Sequence, residues 1–277
     1  MTPLIIDDSN YKQFLSDRDY DGHRGFGLVP RTSDPDSAVI TPMRAVKFDT
    51  IPESEWIPRI QERKAKKERN CDKWMSRALK YVIQGQWGYC WGHGPVNAQT
   101  FLRSSMNLPP VDLSAFSVCG PIKNGRDEGG WGALALEYML KVGPCTQDLW
   151  PQGKVNIPDS AAIRESRANN RLSGTWMDLA DPVYGRKLSQ AQIITLLLND
   201  IPVVGDFMWW GHCVAILDLD VISGQIATVI VNSWPQWGGY LAPNDGMAAL
   251  TGERAWPTNA VSPKALVTTD HGVATAA

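Results

Sequence analysis

The sequence predicts an α+β fold of two lobes, the first helical and the second rich in β-strands. Three observations point there. Between residues 90 and 142, apolar residues recur at helical spacing. From residue 201 onward, three apolar runs of strand length follow one another. Between these halves, residues 146–185 are polar and turn-rich, as a crossing between lobes should be. The 277 residues are 43% hydrophobic and 20% charged, enough apolar material for a sizeable core in one large domain or two small ones.

The elements follow in order. Residues 1 to about 50 are rich in Asp, Arg, Pro, Gly and Ser, with short apolar pieces at Phe26–Val29 and Ala38–Ile40, and predict an extended arm. Pro52 to Trp56 opens a helix that runs on through the charged stretch Gln61–Arg69, whose Glu and Lys residues alternate at helical spacing on a solvated face. A helix over roughly Cys90 to Leu102 starts behind two glycines. Gly129 to Val142 places Leu134, Leu136, Met139 and Leu140 at helical spacing. Ser189 is the N-cap of a helix through about Leu198. Ile201–Phe207, Gly211–Leu217 and Gln225–Val231 read as buried strands. From Thr251 to Ala277 periodicity fades, and a loose end is expected. Three regions result: an arm with a charged helix (1–70), a domain carrying the candidate site (71–255), and a tail (256–277).

The chemistry concentrates around Cys90. The stretch Gln84-Gly85-Gln86-Trp87-Gly88-Tyr89-Cys90-Trp91 places a thiol at a helix start, where unpaired N–H groups and the macrodipole favour the thiolate. An acidic Cys90 is therefore expected. Gln84, just upstream, can offer a side-chain N–H to an oxyanion formed when that thiolate attacks a carbonyl. His212 stands at the mouth of one strand and Asn232 at the end of the next, so the two can be cross-strand neighbours. Asn232 would then fix the tautomer and leave the other imidazole nitrogen to face the thiol. The remaining histidines are worse placed: His23 lies in the arm, His271 in the tail, and His93 one turn after Cys90 on the same helix.

The order Gln84-Gly85, Cys90-Trp91, Gly211-His212, Asn232-Ser233-Trp234, then Trp237-Gly238, resembles the papain family of cysteine peptidases over about residues 72 to 250. Leu113-Ser114 leading to Cys119, then Gly129-Gly130-Trp131, resembles the family segment that reaches the paired glycines of the substrate cleft. The resemblance implies a papain-like two-lobed fold, the nucleophile on the helical lobe and the His/Asn pair on the β-rich lobe. It implies Cys90 as nucleophile, His212 as general base and acid, and Asn232 as orienter. Gln84 and the Cys90 N–H would form the oxyanion hole, and Trp234 would shield the His–Asn bond. Gly129, Gly130 and Trp131 would line the peptide-binding wall. The implied activity is hydrolysis of peptide or protein substrates with no cofactor and no metal. Four positions depart from the family pattern. Trp87 replaces a family cysteine, Gly211 an aspartate and Pro235 a glycine, while Trp237 sits one residue closer than usual. The triad survives these changes, and the shape of the substrate loops does not follow from the resemblance.

Composition narrows the remaining classes. A formal charge of −2 gives no basis for binding nucleic acid or an anionic membrane, and no apolar run has the length of a membrane span. The five cysteines are an odd number without metal-ligand spacing. With no basic start or apolar stretch of a secretory signal, they predict free thiols in a reducing setting, cytoplasmic or virion-associated. The arm is expected to be a docking extension for a protein partner or a short pro-segment. Two other functions share the same residues: an acyl transferase that passes the thioester to an amine, and a non-catalytic docking module in a virus particle or larger assembly.

Overall fold

A computed structural model of the chain describes residues 4–15, 27–31, 43–44, 48–77, 79–172, 174, 176–179, 188–234, 236–237, 240–241, 246–264, 266–268 and 274–276. The helices are α1 (Glu53–Lys66), α2 (Asn70–Ser76), α3 (Cys90–Ser105), α4 (Phe116–Ile122), α5 (Gly132–Lys141), α6 (Ala161–Asn170) and α7 (Gln190–Leu198). The strands are β1 (Leu4–Ile6), β2 (Met43–Arg44), β3 (Met177–Asp178), β4 (Val203–Phe207), β5 (His212–Ile222), β6 (Gln225–Val231), β7 (Gln236–Trp237), β8 (Tyr240–Leu241), β9 (Met247–Leu250) and β10 (Asn259–Ser262), with a final pair, β11 (Leu266–Thr268) and β12 (Ala274–Ala276).

Eight strands form one sheet in the order β1-β9-β6-β5-β4-β10-β3-β2, antiparallel in the middle and parallel at both edge pairs. The helical lobe packs on one face. One core holds α3, α4 and α5 side chains against Val204, Cys213, Ala215, Leu217 and Val231 of the sheet. The other face of the same strands, with Val203, Phe207, Val214, Ile216 and Ile230, packs against α7. Successive strand residues thus serve opposite cores, and the central strands read as continuous apolar runs because both faces are covered.

Helix α3 is buried along almost its whole length, yet carries polar residues. Its interior amides are each bonded at one end, Asn97 Nδ2 and Gln99 Oε1 having no partner among the described residues, and its hydroxyl is bonded. Asn97 accepts from Val82 N–H, Gln99 donates to the Asn170 carbonyl, and Thr100 donates to the Val96 carbonyl. The helix lies directly on β5 because Gly94 has no side chain; a Cβ there would meet the Val214 backbone at 3.1 Å. This contact sets Cys90, the first residue of α3, beside the start of β5.

The structure corrects several expectations. The charged run does not continue as one helix: Lys67 adopts a left-handed conformation (φ 56°) that ends α1, and α2 begins at Asn70. Nor is its face only solvated. Arg63 pairs with Asp200 at 2.6 Å, while Lys64 and Arg69 reach Asp220 at 2.6 and 3.1 Å, docking α1 on the β-rich lobe. The 146–185 crossing contains α6 and the sheet strand β3. Residues 259–262, set apart by the sequence in a tail of little periodicity, form β10 between β4 and β3. All five cysteines are free and buried. The Trp87 ring packs edge-on against Phe116 of α4 at 5.7 Å. No helix among the described residues is long and apolar enough to cross a membrane.

Candidate active site

The imidazole and carboxamide meet. Strands β5 and β6 pair antiparallel with Ala215 opposite Val231, which brings the first residue of β5 near the residue following β6. His212 Nε2 lies 2.6 Å from Asn232 Oδ1. The same oxygen accepts the Ser233 backbone N–H at 2.7 Å, which fixes the carboxamide orientation and leaves an acceptor facing the ring. Nε2 therefore carries the proton, and Nδ1 is the basic nitrogen. Trp234 stacks on the imidazole, with ring centroids 4.1 Å apart at 25°, and Trp210 meets it edge-on at 5.0 Å. All of these residues are buried. Burial pushes the His212 pKa down to about 3, with the Asn232 hydrogen bond acting against it, so the ring is neutral.

Cys90 departs from expectation. Its thiol is fully buried, and burial, joined by the charge of nearby Asp206, pushes it up to about 12. Backbone N–H groups of Cys213, Gly27 and Trp91 approach the sulfur and favour the thiolate, but they do not offset the loss of water. Helix-start electrostatics alone predicts an acidic thiol because the sequence does not show what covers it.

Gln84 is clamped at both ends. Its backbone N–H donates to the Ser233 carbonyl at 2.9 Å, Ser233 Oγ donates to Gln84 Oε1, and Gln84 Nε2 donates to the Trp87 carbonyl at 2.8 Å. The turn that holds Asn232 thus also holds Gln84. Sequence reasoning does not single out Ser233, although it sits inside the Asn-Ser-Trp triplet.

What covers the thiol is a piece of the arm. Residues 27–31 run across the site, with residues 27–29 paired in extended form and Leu28 and Gly130 bridged in parallel. Gly130 N–H donates to the Gly27 carbonyl at 2.8 Å, and Val29 N–H donates to the Gly130 carbonyl at 3.1 Å. On the opposite wall, Leu28 N–H donates to the carbonyl of Gly211, the residue before His212, at 3.4 Å. The paired glycines make room: a Cβ on Gly129 would meet Val29 at 2.5 Å, and one on Gly130 would enter the Trp91 ring at 2.5 Å. Trp131 is half-buried at the head of α5 and, like Leu28 and Trp87, packs against the helical-lobe core. His93, buried one turn along α3, lies 2.8 Å from the Tyr89 carbonyl and 3.2 Å from Gln152. The side chain of Trp237, residues 235, 238 and 239, and His23 and His271 lie outside the described residues. Among the described residues no cluster of three His, Cys, Asp or Glu side chains is arranged to hold a metal ion.

The sequence matches no protein-family profile and no curated protein. In three dimensions the chain is similar to several solved cysteine proteases. Xylellain from Xylella fastidiosa is 16% identical, with 86% of this chain covering 95% of that one at a TM-score of 0.54. Digestive procathepsin L 3 of Tenebrio molitor is 17% identical, with 68% of this chain covering 67% of that one at a TM-score of 0.53. The proform of the ragweed pollen allergen Amb a 11 is 18% identical at a TM-score of 0.53, and this chain spans 63% of its length.

Proposed function

We propose that this chain, which has the papain-like two-lobed α+β fold, is a cysteine peptidase that hydrolyses peptide bonds through a thioester on Cys90. One observation carries the reading: an extended stretch of backbone already lies in the cleft, bonded to Gly130 on one wall and Gly211 on the other, with its Gly27 N–H at the Cys90 thiol. A groove that satisfies an extended backbone at both edges, with a thiol at its floor, fits a peptide substrate.

The steps follow from the residues present. His212 Nδ1 takes the thiol proton as Cys90 Sγ attacks the scissile carbonyl carbon. The oxyanion is held by the Cys90 backbone N–H and by Gln84, whose carboxamide Ser233 keeps in place. Collapse breaks the C–N bond, and the leaving amine takes the proton from His212. Water then gives a proton to His212 and attacks the thioester, releasing the carboxylic acid product and returning the thiol. Asn232 holds the ring in the tautomer this requires, and Trp234 keeps water from their bond.

The arm enters this reading as a cover. Residues 27–31 occupy the peptide position and keep the thiol buried and neutral, so substrate and arm exclude one another. Residues 4–6 of the arm pair with β9 at the sheet edge. The described parts of the arm fold onto their own chain, which supports a cleft-blocking segment over a docking extension. The experiment is hydrolysis of a fluorogenic peptide mixture by the full-length chain under reducing conditions. Cys90→Ala should lose all turnover; turnover that survives in Cys90→Ala contradicts the reading.

A further inference from the structure

The cleft-spanning segment has a second anchor. Arg31 turns inward, and its Nη1 donates to Asp178 Oδ2 at 2.7 Å, the two side chains being 7% and 0% exposed. A second buried carboxylate stands nearby. Asp206, on β4, accepts the Gly132 backbone N–H through Oδ1 at 3.3 Å.

Sheet register explains why the two acids converge. Strand β10 lies between β3 and β4, with Val261 opposite both Asp178 and Val204, and Asn259 opposite Asp206. Residues directly opposite share a face, and so do positions two apart on one strand, so Asp178 and Asp206 emerge on the same face. Cys213 stands opposite Asp206 on β5, on that same face, and its backbone approaches the Cys90 thiol. The acidic recess therefore borders the catalytic cysteine of the proposed reaction.

Two buried carboxylates are an expensive way to build a core, since apolar residues of the same volume would do at least as well for stability. Burial foremost, and the neighbouring Asp178, push Asp206 up to about 6, while Cys213, Gly132 and the Arg31 guanidinium pull the other way. What occupies the recess is a guanidinium carried on the stretch of extended backbone that Gly130 binds. Among the described residues Asp178 Oδ2 accepts from the guanidinium, and Arg31 Nε has no hydrogen-bond partner. Gly130, which anchors the backbone, and Gly132, which anchors Asp206, are two residues apart, so a peptide held at Gly130 passes within side-chain reach of the recess.

We propose that the recess formed by Asp178 and Asp206 is a specificity pocket that takes a basic side chain of the peptide substrate, arginine above all, and that Arg31 fills it as a stand-in. The planar fork of arginine suits a carboxylate better than the compact ammonium of lysine. This deepens the peptidase reading and rests on it for the word substrate; the pocket itself can be tested without turnover.

In the turnover arm, the full-length chain and its Arg31→Ala variant are given peptide pairs in which one arginine is replaced by the neutral isostere citrulline. Losing one partner of a buried charge pair predicts at least about a 30-fold fall in kcat/KM for citrulline. In Asp178→Asn the two peptides should become equal. Cleavage of both peptides at equal rates by the wild type would overturn the pocket while leaving the peptidase standing.

In the binding arm, N-acetyl-arginine amide should raise the melting temperature of full-length Arg31→Ala by about 2 °C or more, and N-acetyl-citrulline amide should not. Arg31→Ala/Asp178→Asn should respond to neither. Absence of turnover with every peptide, together with the arginine-specific shift, keeps the pocket and removes the peptidase. Equal responses to the two amides, or none, overturn the pocket. Should Arg31→Ala fail to fold, the wild type is used. Arginine amide, and not citrulline amide, should then speed alkylation of Cys90 by displacing the segment, and equal effects would overturn the proposal.

Discussion

Gly27 packs on Gly88 so closely that a Cβ at position 27 would stand 1.6 Å from the Gly88 carbonyl oxygen. This contact seats the arm backbone on the turn that precedes Cys90. A side chain there is incompatible with it, so Gly27→Val must lift the segment. Overpacking of this kind typically costs about 1–3 kcal/mol, and the covered state should lose population accordingly. Alkylation of Cys90 is expected to speed up by about tenfold or more in the full-length variant, with the circular dichroism spectrum unchanged. An unchanged rate would show that residues 27–31 do not restrain the thiol.

Ser233 links the two halves of the proposed machinery, because its hydroxyl holds Gln84 while its backbone N–H holds Asn232. Gln84→Ala should reduce kcat by on the order of 10²–10³, the scale of one oxyanion donor. Ser233→Ala keeps the donor and loosens it, so a smaller fall in kcat of about tenfold is expected, with KM nearly unchanged. Peptide hydrolysis by the two variants measures both; a change confined to KM would place Gln84 in substrate binding alone.

Asn232→Ala leaves the buried Nε2–H of His212 without its acceptor. The predicted cost is about 1–3 kcal/mol in denaturant unfolding, together with a fall in kcat/KM because neither ring orientation nor tautomer is held. Full activity in a stable Asn232→Ala protein would remove Asn232 from the site.

Much of this arrangement is legible in the amino-acid sequence. Helix α7 is readable because Ser189 caps it locally, accepting the Gln192 N–H. Strands β4, β5 and β6 are readable because burial on both faces leaves long apolar runs. What escapes is held by distant partners. Strands β3 and β10 are two and four residues long, too short for periodicity, and exist through pairing across about eighty residues of chain. The cleft-spanning role of residues 27–31 is hidden for the same reason, since its bonds go to Gly130 and Gly211. Helix position alone predicts an acidic thiol, and burial under that segment reverses the sign. Asp206 stands out in sequence as an acid inside the apolar run Ile201–Phe207, whereas Asp178 shows nothing that distinguishes it from a surface acid.

Acid stability should report the buried histidines and Asp206 with opposite signs. Burial lowers His212 to about 3 and His93 to about 4, so the unfolded chain binds protons below the ordinary histidine value of about 6.5 that the folded chain refuses. Their contribution is complete above about pH 6.5 and is lost as pH falls. Asp206, raised to about 6 mainly by burial, binds its proton more tightly when folded, so its contribution grows as pH falls from about 6 to 4. Asp206→Asn removes this counterweight. Urea unfolding between pH 6 and 4 should therefore lose stability more steeply in Asp206→Asn than in the wild type; parallel curves would show that Asp206 is ionised throughout that range.

The central claim is that the sulfur of Cys90 forms the covalent intermediate. The most direct measurement is labelling of the reduced full-length protein and of Gly27→Val with an epoxide cysteine-peptidase inhibitor, followed by mass mapping of the modified residue. The predicted result is one adduct, on Cys90, formed faster in Gly27→Val, slowed in His212→Ala and absent in Cys90→Ala. No adduct in Gly27→Val, or an adduct on Cys71, Cys119, Cys145 or Cys213 in its place, would contradict it.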